Sequence, residues 1–113
     1  MITGVATAAR EAIIRLEVHG PAAQVEEVDA IIDTGFDGWL SLPPALVAQL
    51  GLAWRRRGRA LLADGSESIF DIYDGTVIWD GQPRHIAVDE ADMITLVGMA
   101  LLDGFELIVQ VRS

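Results

Sequence analysis

The sequence predicts an all-β fold with one or two short helices. Three observations predict it. Apolar and polar residues alternate along Ile14 to His19 and again through Val28, Ala30 and Ile32, the period of a half-buried strand. Asp64-Gly65 and Asp80-Gly81 each separate two apolar runs, a short-range signal for a β-hairpin. Proline and glycine confine the helical stretches to a few residues each.

In order along the chain, Met1 to Ala9 is small and weakly patterned. Ile14, Leu16 and Val18 then make one strand face, and Gly20-Pro21 breaks it. Val25 to Ile32 resumes as a second strand, antiparallel to the first across a short turn. Trp39, Leu40 and Leu42 read as a short strand. Pro43-Pro44 opens a helix of about two turns, with Leu46 and Leu50 on one face and Gly51 as its stop. Ala60 to Ala63 and Ser66 to Tyr73 form the arms of the first Asp-Gly hairpin. Thr76 to Trp79 and Arg84 to Val88 form those of the second. Asp89 to Asp92 reads as a solvated acidic turn. Met93 to Val97 is apolar and ends at Gly98, Met99 to Asp103 is a short helix, and Phe105 to Val111 closes the chain as a strand.

At 113 residues the chain is expected to be a single domain, 1–113, able to bury a real core. A hydrophobic content of 51% and a charged content of 22% place it among globular rather than disordered chains. It has no cysteine, hence no disulfide scaffold and no thiolate zinc site. His19 and His85 lie far apart and read as surface strand residues, so no metal or cofactor is expected. A formal net charge of −9 argues against nucleic acid as a partner. No apolar run reaches the roughly 18 residues of a membrane span, and no signal peptide is visible, so the expected location is cytoplasmic. Arg55-Arg56-Arg57 with Arg59 is the one basic cluster. It reads as a charged strand edge in preference to a docking patch for an acidic partner.

Chemistry concentrates in Ile32-Asp33-Thr34-Gly35-Phe36-Asp37. An apolar strand ending in Asp-Thr-Gly can hold the Asp33 carboxylate at the floor of a cleft, suited to general acid/base work on water. Thr34 offers a hydroxyl for a bond to a neighbouring backbone, and Gly35 permits a sharp turn and close approach of another backbone. This stretch resembles the active-site signature of the aspartic proteases, and Asp37 brings it closer to the single-lobe retropepsin branch that includes retroviral proteases. Thr95-Leu96-Val97-Gly98-Met99-Ala100-Leu101-Leu102 resembles the second landmark of that family, two apolar residues and a glycine leading into a short helix. Order, spacing and total length agree, so the resemblance covers Ile13 to Val111.

The resemblance implies a retropepsin-like closed β-barrel in which Asp33, Thr34 and Gly35 form the catalytic turn. The Asp64-Gly65 hairpin falls where retropepsins carry the flap over bound peptide, though its tip, Ala63-Asp64-Gly65-Ser66, is shorter and more polar. An ordinary surface hairpin is the plainer alternative. Asp37 matches the acid that bonds the substrate main chain, and equally fits a turn acid making local backbone bonds. The terminal strands of the family interleave at a dimer interface. The expected substrate-binding residues are Phe36, Asp37, Ala63, Asp64, Gly65, Leu96 and Val97. Phe36, Leu61, Leu96 and Val97 are expected to make the pockets apolar.

The mechanism needs two facing carboxylates sharing one proton. The chain has no second Asp-Thr-Gly or Asp-Ser-Gly. One chain therefore carries half a site, and a two-fold homodimer would pair Asp33 with its copy. The expected function is an aspartic endopeptidase acting on peptide or protein substrates. A dimerisation or peptide-binding module on the same fold is the second reading, and an unrelated small barrel with a chance Asp-Thr-Gly is the third.

Overall fold

The computed structural model describes residues 2–6, 11–92, 94–105 and 107–111. Among them run β1 (Ile2–Ala6), β2 (Ala12–His19), β3 (Val25–Ile32), β4 (Leu40–Leu42), α1 (Pro44–Leu50), β5 (Ala53–Leu61), β6 (Glu67–Trp79), β7 (Gln82–Glu90), β8 (Leu96–Val97), α2 (Met99–Leu102) and β9 (Leu107–Val111). The all-β expectation with two short helices is met.

The strands pair in the order β5-β6-β7-β4-β8-β3-β2-β1-β9, and β6 pairs with β2 as well. That extra pairing closes a ring running β6, β7, β4, β8, β3, β2 and back to β6. It is made by Glu17, Val18 and His19 against Ile78, Val77 and Thr76. A closed ring leaves its own strands without edges.

Alternation along each strand fills the ring. Ile14, Leu16 and Val18 of β2, Val28 and Ala30 of β3, and Leu40 and Leu42 of β4 are buried together with Val77, Trp79, Ile86, Val88 and Val97. Burying each such aliphatic side chain contributes about 1.5–3 kcal/mol before entropy is counted. Leu50 of α1 and Leu101 of α2 join the same core. Pro44 occupies the first turn of α1, and Gly51, at φ 60, ends it with its N–H on the carbonyls of Ala48 and Val47. The buried face of α1 is Val47 and Leu50, with Leu46 packed beside them.

The second hairpin is a two-residue turn in which Asp80 and Gly81 both have positive φ, joining Trp79 to Gln82. Its first arm is longer than expected, because β6 is one strand from Glu67. The first half of β6 pairs with β5 in a ribbon that stands out from the ring, and its later residues complete the ring.

Two sequence expectations are corrected here. Met1 to Ala9 is small and weakly patterned in sequence and suggests no strand, yet Ile2–Ala6 is one, held between β2 and β9. Gly4 weakens the local strand signal, and it is needed there: a Cβ on it would lie 2.8 Å from Ile14 Cγ2. Asp89 and Glu90 are not in a turn but are the last residues of β7, paired with Ser41 and Leu42. Met93 and the expected common face of Leu107, Val109 and Val111 lie outside the described residues and side chains.

Candidate active site

β3 delivers the chain to Asp33, and the second sequence landmark locks it there. β8 lies parallel to β3, with Ile31 opposite Leu96 and Ile32 opposite Val97. The ladder extends past the strand: Asp33 N–H donates to the Val97 carbonyl at 2.9 Å. The other side of β8 pairs with β4. The segment from Asp33 to Trp39 must therefore pass over the end of β8 and the start of α2. It is fastened there by Met99 N–H to the Phe36 carbonyl (2.8 Å), Gly98 N–H to the Trp39 carbonyl (3.1 Å) and Ala100 N–H to the Gly38 carbonyl (3.1 Å). The two landmarks are thus one hydrogen-bonded unit.

Within it, Asp33 is half-buried and its Oδ1 accepts the Gly35 N–H at 2.9 Å, while Phe36 N–H donates to the Asp33 carbonyl at 3.1 Å. One carboxylate oxygen is pinned by its own turn. The other has no hydrogen bond among the described residues and is open to water or to a second carboxyl. Thr34 and Gly35 are exposed, and the Thr34 hydroxyl has no hydrogen-bond partner among the described residues. Asp37 is exposed as well. Gly35 does not have positive φ, and a Cβ on it would meet only Asp33 Oδ1, at 3.3 Å. This chain alone does not require glycine at that position.

The β5–β6 ribbon ends in a tip at Ala63, Asp64 and Gly65, all exposed. Asp64 accepts hydrogen bonds from the Ser66 N–H (2.9 Å) and the Ser66 hydroxyl (2.6 Å), which hold its carboxyl below the usual carboxylate range. The tip is a turn tied to itself. The basic cluster of β5 finds acids on the neighbouring strand: Arg55 pairs with Asp74, Arg57 with Asp71 at 3.8 Å and Arg59 with Glu67 at 3.9 Å. These pairs fit the charged-edge reading of that cluster.

Between the ribbon and the outer face of the ring lies a cleft of about 480 Å³. Its floor follows from strand alternation. Val88, Leu40 and Val97 point into the core, so Asp89, Ser41 and Leu96 point outward, and the pairing register sets them side by side across β7, β4 and β8. Phe36 lines the cleft at the Asp33 turn, and Phe70 lines it from the ribbon. Of the expected pocket residues, Phe36 and Leu96 are here. Val97 is 0% exposed and offers only its carbonyl, to Asp33, while Leu61 is 77% exposed on the ribbon and is not part of the cleft wall.

The expectation of purely apolar pockets is corrected. Asp71, Asp89, Glu90 and Asp92 all line the cleft, with no basic residue among its walls. Sequence reasoning missed them because an acidic run reads as solvated turn. Only the folded-over ribbon encloses it. Burial pushes the Asp89 carboxyl above the usual carboxylate range, and attraction from Arg56 only partly offsets this. Ser41 is 3% exposed, and its hydroxyl has no partner among the described residues; the Trp79 indole N–H in the core shares that condition. An unpaired buried hydroxyl costs about 1–3 kcal/mol.

Asp89 therefore makes a prediction about stability. Its folded form binds a proton more tightly than the unfolded chain, so its contribution falls as pH rises from the usual carboxylate range through its raised value. Arg56 on β5 is the charged group that acts on it, and Asp71 of β6 lines the same cleft. Asp89→Asn should raise the urea midpoint at neutral pH. The gain should shrink as pH falls from the raised value of Asp89 down to the usual carboxylate range. An equal gain at every pH would show that charge burial is not the cause.

No protein-family model matches the sequence, and no curated protein matches it. Among solved structures the chain is similar to the EIAV protease complexed with the inhibitor HBY-793. The TM-score is 0.60 and the identity 16%, over 90% of this chain and 96% of that one. The chain has a retropepsin-like fold.

Proposed function

We propose that this protein is one subunit of a homodimeric aspartic endopeptidase, with Asp33 as its catalytic carboxylate and Thr34 and Gly35 completing the turn. The observation that carries the reading is the Asp33 turn itself. One carboxylate oxygen is held by the Gly35 N–H, the other is free, and the whole turn is fastened to β8 and α2. In a two-fold dimer the two Asp33 side chains would face each other and share one proton. The ionised one takes a proton from water, and the protonated one polarises the scissile carbonyl. The pair would serve as both general base and general acid, with no cofactor or metal.

Two features support a partner at this surface. The exposed Thr34 hydroxyl is free to bond across the axis, and neither φ nor neighbouring backbone within one chain demands glycine at 35, where a Cβ would meet only Asp33 Oδ1. Peptide would run beneath the β5–β6 ribbon as flap, with Ala63, Asp64 and Gly65 at its tip. Phe36, Asp37 and Leu96 would contact the substrate, and Val97 would act through its backbone. The similarity of the fold to a retroviral protease supports the same reading.

A second reading is a peptide-binding module that hydrolyses slowly or not at all. The short tip tied by Asp64 to Ser66 favours it, since a self-bonded turn has less freedom to close. A peptide-library digest across acid to neutral pH separates the two. Cleavage by the wild type at defined bonds, insensitive to chelators and blocked by a peptide-like transition-state analogue, is the result expected of the enzyme. Binding without cleavage is the module.

Assembly has its own test. Sedimentation should show a concentration-dependent dimer, tightened by a peptide-like inhibitor. A monomer at every concentration, with inhibitor present, contradicts the paired site.

A further inference from the structure

We propose that the floor of the cleft, Ser41 and Asp89, with Asp92 also lining the cleft, is a subsite for a basic side chain of the substrate. The inference rests on the peptidase reading for its position near the cut bond, and it rests on the cleft alone for its charge preference.

Four observations combine. First, register sets Leu96, Ser41 and Asp89 in one row on the outward face of β8, β4 and β7, and Phe36 links that row to the Asp33 turn. Asp33 itself does not line the cleft, and Phe36, three residues on, joins its turn to this floor. Second, the walls carry four carboxylates and no base, which selects a cation. Asp71 is already engaged by the Trp54 indole N–H at 3.0 Å and by Arg57, and Glu90 by the Tyr73 hydroxyl, so Asp89 and Asp92 are the acids left to receive it.

Third, the Ser41 hydroxyl is buried in this floor without a partner. Its neighbours in the row are an apolar side chain and a carboxylate. An ammonium or guanidinium seated between Ser41 and Asp89 would give the hydroxyl a donor and the carboxylate a counter-charge at once. Fourth, Asp89 has no ion pair within 4 Å among the described residues. Arg56 acts on it only through longer-range attraction. A desolvated acid without a close cation gains more from one than a solvated acid does. The volume accommodates a lysine or arginine side chain. The net charge of −9 draws basic peptides toward the protein.

The expected preference is Lys or Arg at one position near the cut bond, with apolar residues elsewhere. The test compares two matched peptides, one with lysine and one with norleucine at that position. In the wild type the ratio of their kcat/KM values should favour lysine by about tenfold or more, the worth of one charge-assisted hydrogen bond. Asp89→Asn should bring the ratio close to one, and Ser41→Ala should reduce it. Raising the salt should reduce it less than it would for an exposed acid, because the floor is partly screened from solvent.

A parallel measurement uses Asp33→Asn, with binding of the same two peptides followed by fluorescence anisotropy. If the wild type cuts nothing, the peptidase reading fails. The subsite then stands or falls on whether Asp33→Asn still binds the lysine peptide more tightly, and whether adding Asp89→Asn removes that difference. A ratio near one in the wild type overturns the subsite even if cleavage is efficient. So does a lysine preference that survives both Asp89→Asn and Ser41→Ala.

Discussion

Asp33→Asn should lower peptide hydrolysis by at least about 10³-fold while the fold and the dimer survive. Asparagine keeps the shape of the side chain, and its amide oxygen can still accept the Gly35 N–H that now bonds Asp33 Oδ1 at 2.9 Å. What disappears is the ionisable group. In the proposed dimer the substitution acts twice, removing the base from one subunit and the acid from the other. KM should change less than kcat, because in the proposed mechanism Asp33 acts on water and on the reacting carbonyl. Dimerisation should hold or tighten, since two facing carboxylates repel unless they share a proton. Sedimentation and circular dichroism on the same samples separate lost chemistry from lost structure. Full activity in the variant would remove Asp33 from the mechanism.

The second large effect is structural. Gly98→Ala should destabilise the protein by about 2–4 kcal/mol, read as a fall in the urea midpoint. The backbone at Gly98 is extended, with φ −99 and ψ 175, so conformation does not demand glycine. Space does. A Cβ there would lie 2.2 Å from the Gly38 carbonyl oxygen, 2.8 Å from its carbon and 2.7 Å from Phe36 Cδ2. The first two are backbone atoms of the segment that crosses β8, and they are held by the hydrogen bonds from Gly98 and Ala100. Relief would require separating the two landmarks, which would move Asp33. Activity should therefore fall with stability.

Gly35→Ala makes the informative contrast. Its added carbon meets only Asp33 Oδ1 at 3.3 Å, so the isolated chain should keep its stability to within about 1 kcal/mol. If the partner chain approaches there, dimer formation and activity should fall without a matching fall in stability. Equal effects of the two substitutions on stability would contradict this assignment of roles.

In the proposed subsite, Asp89 carries a cost to stability. A half-buried acid beside an unpaired buried hydroxyl weakens the fold, and both groups lie in the cleft where a ligand could satisfy them. Replacing Asp89 should therefore raise stability and lower selectivity together, the usual direction of exchange at a binding site.

Much of this was legible in the sequence. The alternation of β2 and β3, the two Asp-Gly turns, the Pro44 start and Gly51 stop of α1, and the Asp33-Thr34-Gly35 turn are local features. Each depends on backbone preferences within a few residues, which the sequence states directly. Tertiary structure alone decided three things. It placed β8 between β3 and β4, so that a glycine far along the chain meets Gly38. It made a strand of Ile2–Ala6, whose partners are β2 and the distant β9. It also turned Asp89 from an apparent turn acid into a cleft wall, because the ribbon of β5 and β6 covers it. The physical reason is common to all three. Alternation determines which side of a strand a residue faces. What stands opposite that side depends on hydrogen-bond registers between segments far apart in the chain, and those exist only once the ring has closed.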